Sequence, residues 1–172
     1  GVYFSKGKLH YYEAFQNVPF KVSFLSDHVQ PINIKFDITF LNGSNFKIRA
    51  ESKNAAFFNY VTESIEYHKN KWSFAKNARF GELIETSDLA FIVQPIDTTL
   101  IPINKNITCA FEFNTVNLLS DGIRDKLSLN SIDREATVVN IRLKSESVNK
   151  GINIVDELMN VYADQNLERK NH

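Results

Sequence analysis

The chain has 172 residues, and its 20 Lys and Arg residues balance 20 Asp and Glu residues, so the formal net charge is zero. A chain of this length can bury a substantial core as one domain. The neutral charge argues against a general binder of nucleic acid or anionic membranes, because phosphate binding needs concentrated positive charge. Hydrophobic residues make up 43% of the chain, which excludes a disordered chain. With Cys109 as the one cysteine, a disulfide framework and a zinc site of several thiolates are excluded.

The chain carries no recognisable targeting or anchoring segment. No stretch approaches the roughly 20 apolar residues of a membrane helix, and no basic segment followed by an apolar one opens the sequence. The residues from Val2 onward have the pattern of the middle of a strand, and 158–172 still has a helical pattern where the sequence stops. We therefore expect a domain excised from a larger protein, for which missing signals say nothing about the compartment.

The first two thirds of the sequence has the two-residue period of strands. Apolar and polar residues alternate over 32–40, an Asn42-Gly43 turn signal follows, and the alternation resumes over 46–50, which predicts a β-hairpin. Aromatic and β-branched residues predict further strands, and 80–82 reads as a turn. These strands are at 9–14, 20–25, 64–68, 71–75 and 89–95, while 55–61 is either strand or loop.

The last third of the sequence contains segments with the period of strands and segments with the period of helices. Residues 107–113 alternate, with Cys109 on the same face as two phenylalanines, and helical spacing follows over 116–127 with Thr115 as N-cap. Strands are predicted at 127–132 and 137–144. Ser147 then caps a long amphipathic helix over 147–170, the second predicted helix, which we label α2. We call its apolar side the α2 stripe, which consists of Val148, Ile152, Val155, Leu158, Met159 and Tyr162.

This order of elements predicts an α+β fold. We expect mainly antiparallel sheet, with about two helices packed on one face and a long C-terminal helix. Residues 1–172 are predicted to form one domain. A subdivision near 97–105 is conceivable, since prolines and a polar run occur there.

The residue patterns point away from catalysis. The four histidines lack metal-ligand spacing, Cys109 lies in an apolar strand, and neither a phosphate-binding glycine loop nor a nucleophile elbow is present. We therefore predict no catalytic, cofactor-binding or metal-binding residues, no cofactor, and a domain that is not an enzyme. Carboxylates brought together only by the fold, as in glycosidases, stay an open alternative.

One short segment combines basic and aromatic residues. Residues 68–72 hold two lysines beside Trp72, but solvated lysines in a hairpin turn explain them better than nucleic-acid binding, which favours Arg. Trp72 and the nearby Tyr67 are candidates for stacking on a sugar ring. This predicts, as the alternative function, a carbohydrate-binding or carbohydrate-processing module.

Several segments resemble one known family in the same order along the chain. Residues 149–159, then Val161-Tyr162 and 165–171, resemble the periplasmic segment of Wzz-type polysaccharide chain-length determinants, in the version found in exopolysaccharide tyrosine autokinases of the Bacteroidetes type. Residues 126–129, 80–84, 2–8 and 18–22 are similar to upstream strands and turns of that family. The chain departs from the family pattern at Val148, Gly151 and Asp156, where Pro, Ala and Asn are usual.

The resemblance implies a non-catalytic periplasmic domain of a polysaccharide co-polymerase. Such proteins are anchored in the inner membrane, self-associate into rings, and regulate the chain length of capsular polysaccharide or exopolysaccharide beside the polymerase and export machinery. In the kinase version a cytoplasmic tyrosine kinase domain follows, and its phosphate-binding motif is absent from this chain. The implied partners are further copies of the chain, that machinery and the polysaccharide itself. Closed rings need heterologous contacts, and we predict Glu157, Asn160 and Asp164 on the last helix as part of an oligomer surface.

Overall fold

The computed structural model describes residues 2–6, 11–13, 18–96, 108–131 and 139–170. These residues form two compact units, Gly1–Thr115 and Val116–His172. Ten of the described strands belong to the first unit, whereas two strands and two helices belong to the second. The subdivision predicted near 97–105 lies outside the described residues.

The first unit contains two antiparallel sheets. The larger sheet consists of β1 (Val2–Lys6), β2 (Tyr11–Glu13), β4 (Gln30–Ile32), β5 (Phe36–Phe40), β6 (Asn45–Asn59), β7 (Ser64–Arg79) and β10 (Thr108–Glu112). The smaller sheet consists of β3 (Phe20–Phe24), β8 (Leu83–Thr86) and β9 (Leu89–Pro95). The larger sheet has the order β2-β1-β10-β5-β6-β4, with β7 paired to β6, and the smaller has the order β3-β9-β8. Predicted strand 9–14 falls partly outside the described residues.

The predicted hairpin is confirmed by β5 and β6, which place Phe40 opposite Phe46. The turn depends on Asn42, whose Oδ1 accepts the backbone N–H groups of Ser44 at 2.9 Å and Asn45 at 2.8 Å. An Asn side chain that caps its own turn in this way replaces a backbone hydrogen bond. The predicted single strand over 32–40 is interrupted, because Asn33 adopts a φ of 57° between β4 and β5.

The segment at 68–72 is not a hairpin turn. β7 runs without interruption over 16 residues and pairs with β6 on both sides of this segment. Lys71 adopts a φ of 53°, but the register is the same on both sides of it, with Trp72 opposite Ser52 and Asn70 opposite Asn54. The strand therefore continues through this segment, and the prediction of a turn was wrong. The register of the β6–β7 pair shifts only between Phe57 and Phe58, where a bulge bends the ladder without ending it.

The core of the first unit is an aromatic layer between the two sheets. Phe91 of the smaller sheet lies 5.6 Å from Phe36 and 5.5 Å from Phe111 of the larger sheet, measured between ring centroids. Both of these contacts are edge-to-face, a geometry that stabilises aromatic pairs by more than their burial alone. The buried phenylalanines are Phe20, Phe36, Phe40, Phe46, Phe57, Phe91, Phe111 and Phe113. The core therefore forms as a β-sandwich.

A buried polar link also joins the sheets. The Gln30 side chain is fully buried, donates from Nε2 to the carbonyl oxygen of Ala90 at 2.8 Å and accepts the Ala90 N–H at 3.3 Å. An amide side chain has one donor group and one acceptor, as a peptide unit does, and here it pairs with both backbone groups of one residue. The β4–β9 contact is thereby fixed in register.

The second unit consists of α1 (Val116–Arg124), β11 (Leu127–Ser131), β12 (Val139–Leu143) and α2 (Val148–Lys170). β11 and β12 form an antiparallel ladder with Leu129 opposite Ile141. Ser147 is the predicted N-cap of α2, and its Oγ accepts the backbone N–H of Lys150 at 3.4 Å. Helix and strand types in this third of the chain therefore follow the predicted order.

The predicted fold class was wrong, because the described chain is a β-rich structure of mainly antiparallel sheet and not a helix-packed α+β fold. The inner face of the larger sheet is filled by phenylalanines of a second sheet. Both helices belong to the other compact unit. The α2 stripe, which was expected to face a core, contains no buried residue.

Candidate association surface

The α2 stripe is an apolar surface on a regular helix, and it is exposed except at Val155, which is half-buried. Successive stripe residues are separated by four, three, four and three positions, so their side chains lie along one side of the helix. These residues are Val148, Ile152, Val155, Met159 and Tyr162. Val148 is 76% exposed, Met159 54% and Tyr162 66%. Leu158 is also exposed and lies beside Met159. A four–three spacing of apolar residues is the pattern by which helices pair along a seam.

The residues predicted as an oligomer surface lie on another side of the same helix. Glu157, Asn160 and Asp164 are all exposed, and their spacing of three and four residues groups them away from the α2 stripe. α2 therefore offers two distinct exposed sides, one apolar and one polar. The spacing in the sequence predicted both sides, but burial in a core was expected for the apolar one.

The rest of the second unit also leaves apolar side chains exposed. Val116 of α1 and Leu129 of β11 are 78% and 61% exposed. No described side chain between 116 and 170 is buried, although the unit contains two helices and a strand pair. Exposed apolar surface of this extent is typical of contact sites for other chains.

Charge opposes contact between copies of α2 only weakly. The helix carries three basic and four acidic residues, and none of them belongs to the α2 stripe. The basic residues are Lys150, Arg169 and Lys170, and the acidic residues are Asp156, Glu157, Asp164 and Glu168. A net charge of about −1 per helix gives weak repulsion at physiological ionic strength, where the screening length is about 8 Å.

The two residues predicted to stack on sugar lie in the first unit, around one carboxylate. Asp88 follows β8 in the turn to β9, and its Oδ1 accepts the hydroxyl of Tyr67 at 3.0 Å, while Oδ2 accepts Nε1–H of Trp72 at 3.0 Å. Lys69 forms an ion pair with the same carboxylate. Trp72 is only 8% exposed, and Tyr67 stacks on Phe57 with centroids 4.7 Å apart. The structure therefore offers no exposed face of Trp72 for a sugar ring.

This cluster shifts the pKa values of its members. Burial raises the pKa of Asp88, but hydrogen bonds from Lys69, Tyr67 and Trp72 lower it by more, so its pKa lies below the ordinary 3.8. Burial and the nearby Asp88 raise the pKa of Tyr67 to about 12. We call Tyr67, Lys69, Trp72 and Asp88 the Asp88 cluster. It connects β7 of the larger sheet to the β8–β9 turn of the smaller one, which sequence reasoning missed because the partners of Asp88 are 16 to 21 residues away.

The described residues include no group of three or more His, Cys, Asp or Glu side chains placed to hold a metal ion. Cys109 is buried, and burial raises the pKa of its thiol, which disfavours the thiolate. His10 and His172 lie outside the described residues. Neither helix, over the residues that the structure covers, has the length and apolar content needed to cross a bilayer.

A scan against protein-family models finds no matching family. Searches of curated proteins and of solved structures also find no significant match. The resemblance to chain-length determinants therefore stays a prediction from the sequence.

Proposed function

We propose that this chain is the non-catalytic periplasmic module of a polysaccharide co-polymerase. It regulates the chain length of capsular polysaccharide or exopolysaccharide by assembling with further copies of itself, beside the polymerase and export machinery. The observation that carries the assembly step is the exposed α2 stripe. The sequence resemblance supports the choice of polysaccharide synthesis and of the periplasmic compartment.

The occupant we assign to the α2 stripe is α2 of a second copy. A four–three repeat matches an equivalent repeat on another helix, because each apolar side chain then enters a gap between side chains of the partner. The stripe spans Val148 to Tyr162, which is about 21 Å at 1.5 Å per residue. The uncharged stripe and the zero net charge of the chain allow two copies to approach closely.

The size of the effect follows from burial of the side chains. Each large apolar side chain that becomes fully buried contributes about 1.5–3 kcal/mol. Placing a carboxylate in a pair of facing seams removes such a contribution from both copies and also buries a charge. Replacing Ile152 and Met159 by Asp should therefore weaken association by at least about tenfold.

The test is sedimentation velocity of the 172-residue chain over a concentration series, comparing the wild type with Ile152→Asp/Met159→Asp. We expect concentration-dependent association of the wild type and its loss in the double variant. The matched control is Glu157→Ala/Asn160→Ala/Asp164→Ala on the polar side of the same helix. Circular dichroism of all three chains checks that helix content is preserved.

The control also separates the two predicted surfaces. If the polar-side variant loses association while the double variant keeps it, the contact lies on the polar residues and the α2 stripe is not the seam. A wild type that stays monomeric at every concentration would argue against self-association through this part of the protein.

A cellular experiment addresses the polysaccharide. The double variant is introduced into the full-length protein, and the length distribution of the surface polysaccharide is measured by gel electrophoresis. We expect a broader or shifted distribution with unchanged protein abundance. An unchanged distribution alongside lost association would contradict the proposed function.

A further inference from the structure

A recess lined by polar residues together with Leu41 and Ala78 lies where β7 ends beside the β5–β6 turn of the first unit. Its volume is about 310 Å³, at the lower end of the range for small-molecule sites. The polar residues that line it are Asn42, Asn45, Asn77, Arg79 and Glu82. Three amides and one guanidinium in such a small space form an unusual concentration of hydrogen-bond donors.

The donors differ in whether they are already used. Arg79 donates its backbone N–H to Oε2 of Glu82 at 3.0 Å, while its guanidinium has no partner among the residues that the structure covers. The Asn77 amide is likewise without a partner among them and exposed. The Oδ1 atom of Asn42 accepts hydrogen bonds from Ser44 and Asn45 within the turn, but its Nδ2 group has no acceptor among the described residues. The recess therefore presents donors to solvent.

The charge of the recess favours an anion. The carboxylate of Glu82 is paired with Lys76 at 2.9 Å and also interacts electrostatically with Arg79, so two positive charges stand against one negative charge here. Lys47 is exposed and directly opposite Asn77 across the β6–β7 ladder, so a further positive charge lies on the neighbouring strand. A planar guanidinium binds a carboxylate through two parallel hydrogen bonds, and neighbouring amides bind hydroxyl groups.

We propose that this recess binds a carboxylate-bearing sugar, with the sugar carboxylate on Arg79 and ring hydroxyls on Asn77 and Asn42. The inference rests on the proposed function, since it gives the module direct contact with an acidic polysaccharide. The recess is distinct from the Asp88 cluster, where the aromatic rings are packed in the core. Contact of this kind lets the module sense the presence of polymer.

The experiment is an NMR titration of the ¹⁵N-labelled chain with a glucuronate-containing tetrasaccharide. We expect shifts of the Asn42 and Asn77 side-chain amides and of the Arg79 backbone amide. A neutral glucose tetrasaccharide and sodium acetate are titrated in parallel at equal concentration. The acidic sugar should bind at least about tenfold more tightly than either, because it combines a charge-assisted contact with hydroxyl contacts.

Two variants make the test specific. Arg79→Gln should weaken binding of the acidic tetrasaccharide by about tenfold or more, and the matched control Arg142→Gln, on an exposed position of β12, should not. Equal binding of acetate and the acidic sugar, shifts elsewhere on the surface, or an unchanged affinity of Arg79→Gln would each overturn the inference. Because Arg79 is remote in sequence from α2, sedimentation of Arg79→Gln reports separately on the proposed function. If the acidic sugar does not bind while the chain still associates, the inference about the recess is refuted and the proposed function is not.

Discussion

The Asp88 cluster provides a sharp test of how the two sheets of the first unit are held together. Replacing Asp88 by Ala removes the acceptor for Tyr67, Lys69 and Trp72 at once. The side chain of Asp88 is only 13% exposed, so water cannot easily take its place. We expect a clear loss of stability with the fold retained.

The magnitude depends on which partner is left without an acceptor. Nε1–H of Trp72 belongs to a side chain that is 8% exposed, and leaving a buried donor unpaired costs about 1–3 kcal/mol. The Tyr67 hydroxyl keeps the Ser87 carbonyl at 3.3 Å as an alternative acceptor, so its loss is small. The Lys69 side chain is 44% exposed, and such ion pairs contribute about 0–1 kcal/mol. The free energy of unfolding should therefore fall by about 2–3 kcal/mol.

The assay is urea unfolding followed by tryptophan fluorescence. Trp72 is the one tryptophan of the chain and itself a member of the cluster, so its emission reports on this site. The matched control is Asp121→Ala, which removes the exposed ion pair with Arg124 within α1. That change should alter the free energy of unfolding by less than about 0.5 kcal/mol.

Acid provides a second readout on the same carboxylate. Because the pKa of Asp88 is lower in the folded chain than the ordinary 3.8, its contribution is present above that value and lost as the pH falls through the folded pKa. Wild-type stability should decline below about pH 4, and Asp88→Asn should decline less over that interval. If Asp88→Ala is as stable as the wild type at pH 7, or if Asp88→Asn shows the full acid loss, the assigned role of the cluster is refuted.

Three further changes test other parts of the first unit. Gln30→Leu leaves both backbone groups of Ala90 without their amide partner and should cost about 2 kcal/mol in urea unfolding; an unchanged midpoint would contradict the link. The Tyr60 hydroxyl donates to the Asn114 carbonyl, and burial raises the pKa of Tyr60 from 10.0 to about 12. Wild-type stability should therefore fall as the pH rises from 10 towards 12, and Tyr60→Phe should lose less stability over that interval. Gly81 has a φ of 81°, so Gly81→Ala should lower stability by about 1–2 kcal/mol, measured by thermal unfolding.

Local patterns predicted most strands because each pattern repeats within a few residues. The hairpin of β5 and β6 follows from alternation on both sides of Asn42, and β9 follows from its apolar run. The continuity of β7 through 68–72 was missed because the same polar residues suit a turn, and only pairing with β6 decides between them. What covers the larger sheet was missed for a related reason. The apolar run of β9 marks a buried strand, but nothing in that run says that the strand packs against another sheet.

The candidate surfaces were likewise predictable where their residues are close in the sequence and missed where their residues are distant. The α2 stripe was predicted as a set of residues, since helical spacing is local, but its exposure depends on what packs against it. The Asp88 cluster combines residues 67, 69 and 72 with residue 88, which meet only because two sheets come together. The recess likewise joins the β5–β6 turn to the end of β7. Sites of this kind need tertiary structure before they can be recognised.

The two units use apolar residues differently, and this difference carries the functional conclusion. The first unit places eight phenylalanines in a closed core, which offsets much of the entropy lost when its strands are ordered. The described second unit orders two helices and a strand pair but buries no side chain, so its apolar residues contribute little within one copy. Such surface gains stability when another surface covers it. In the proposed assembly, a second copy contributes its own α2 stripe as that cover, and we expect association to stabilise the helix through which it occurs.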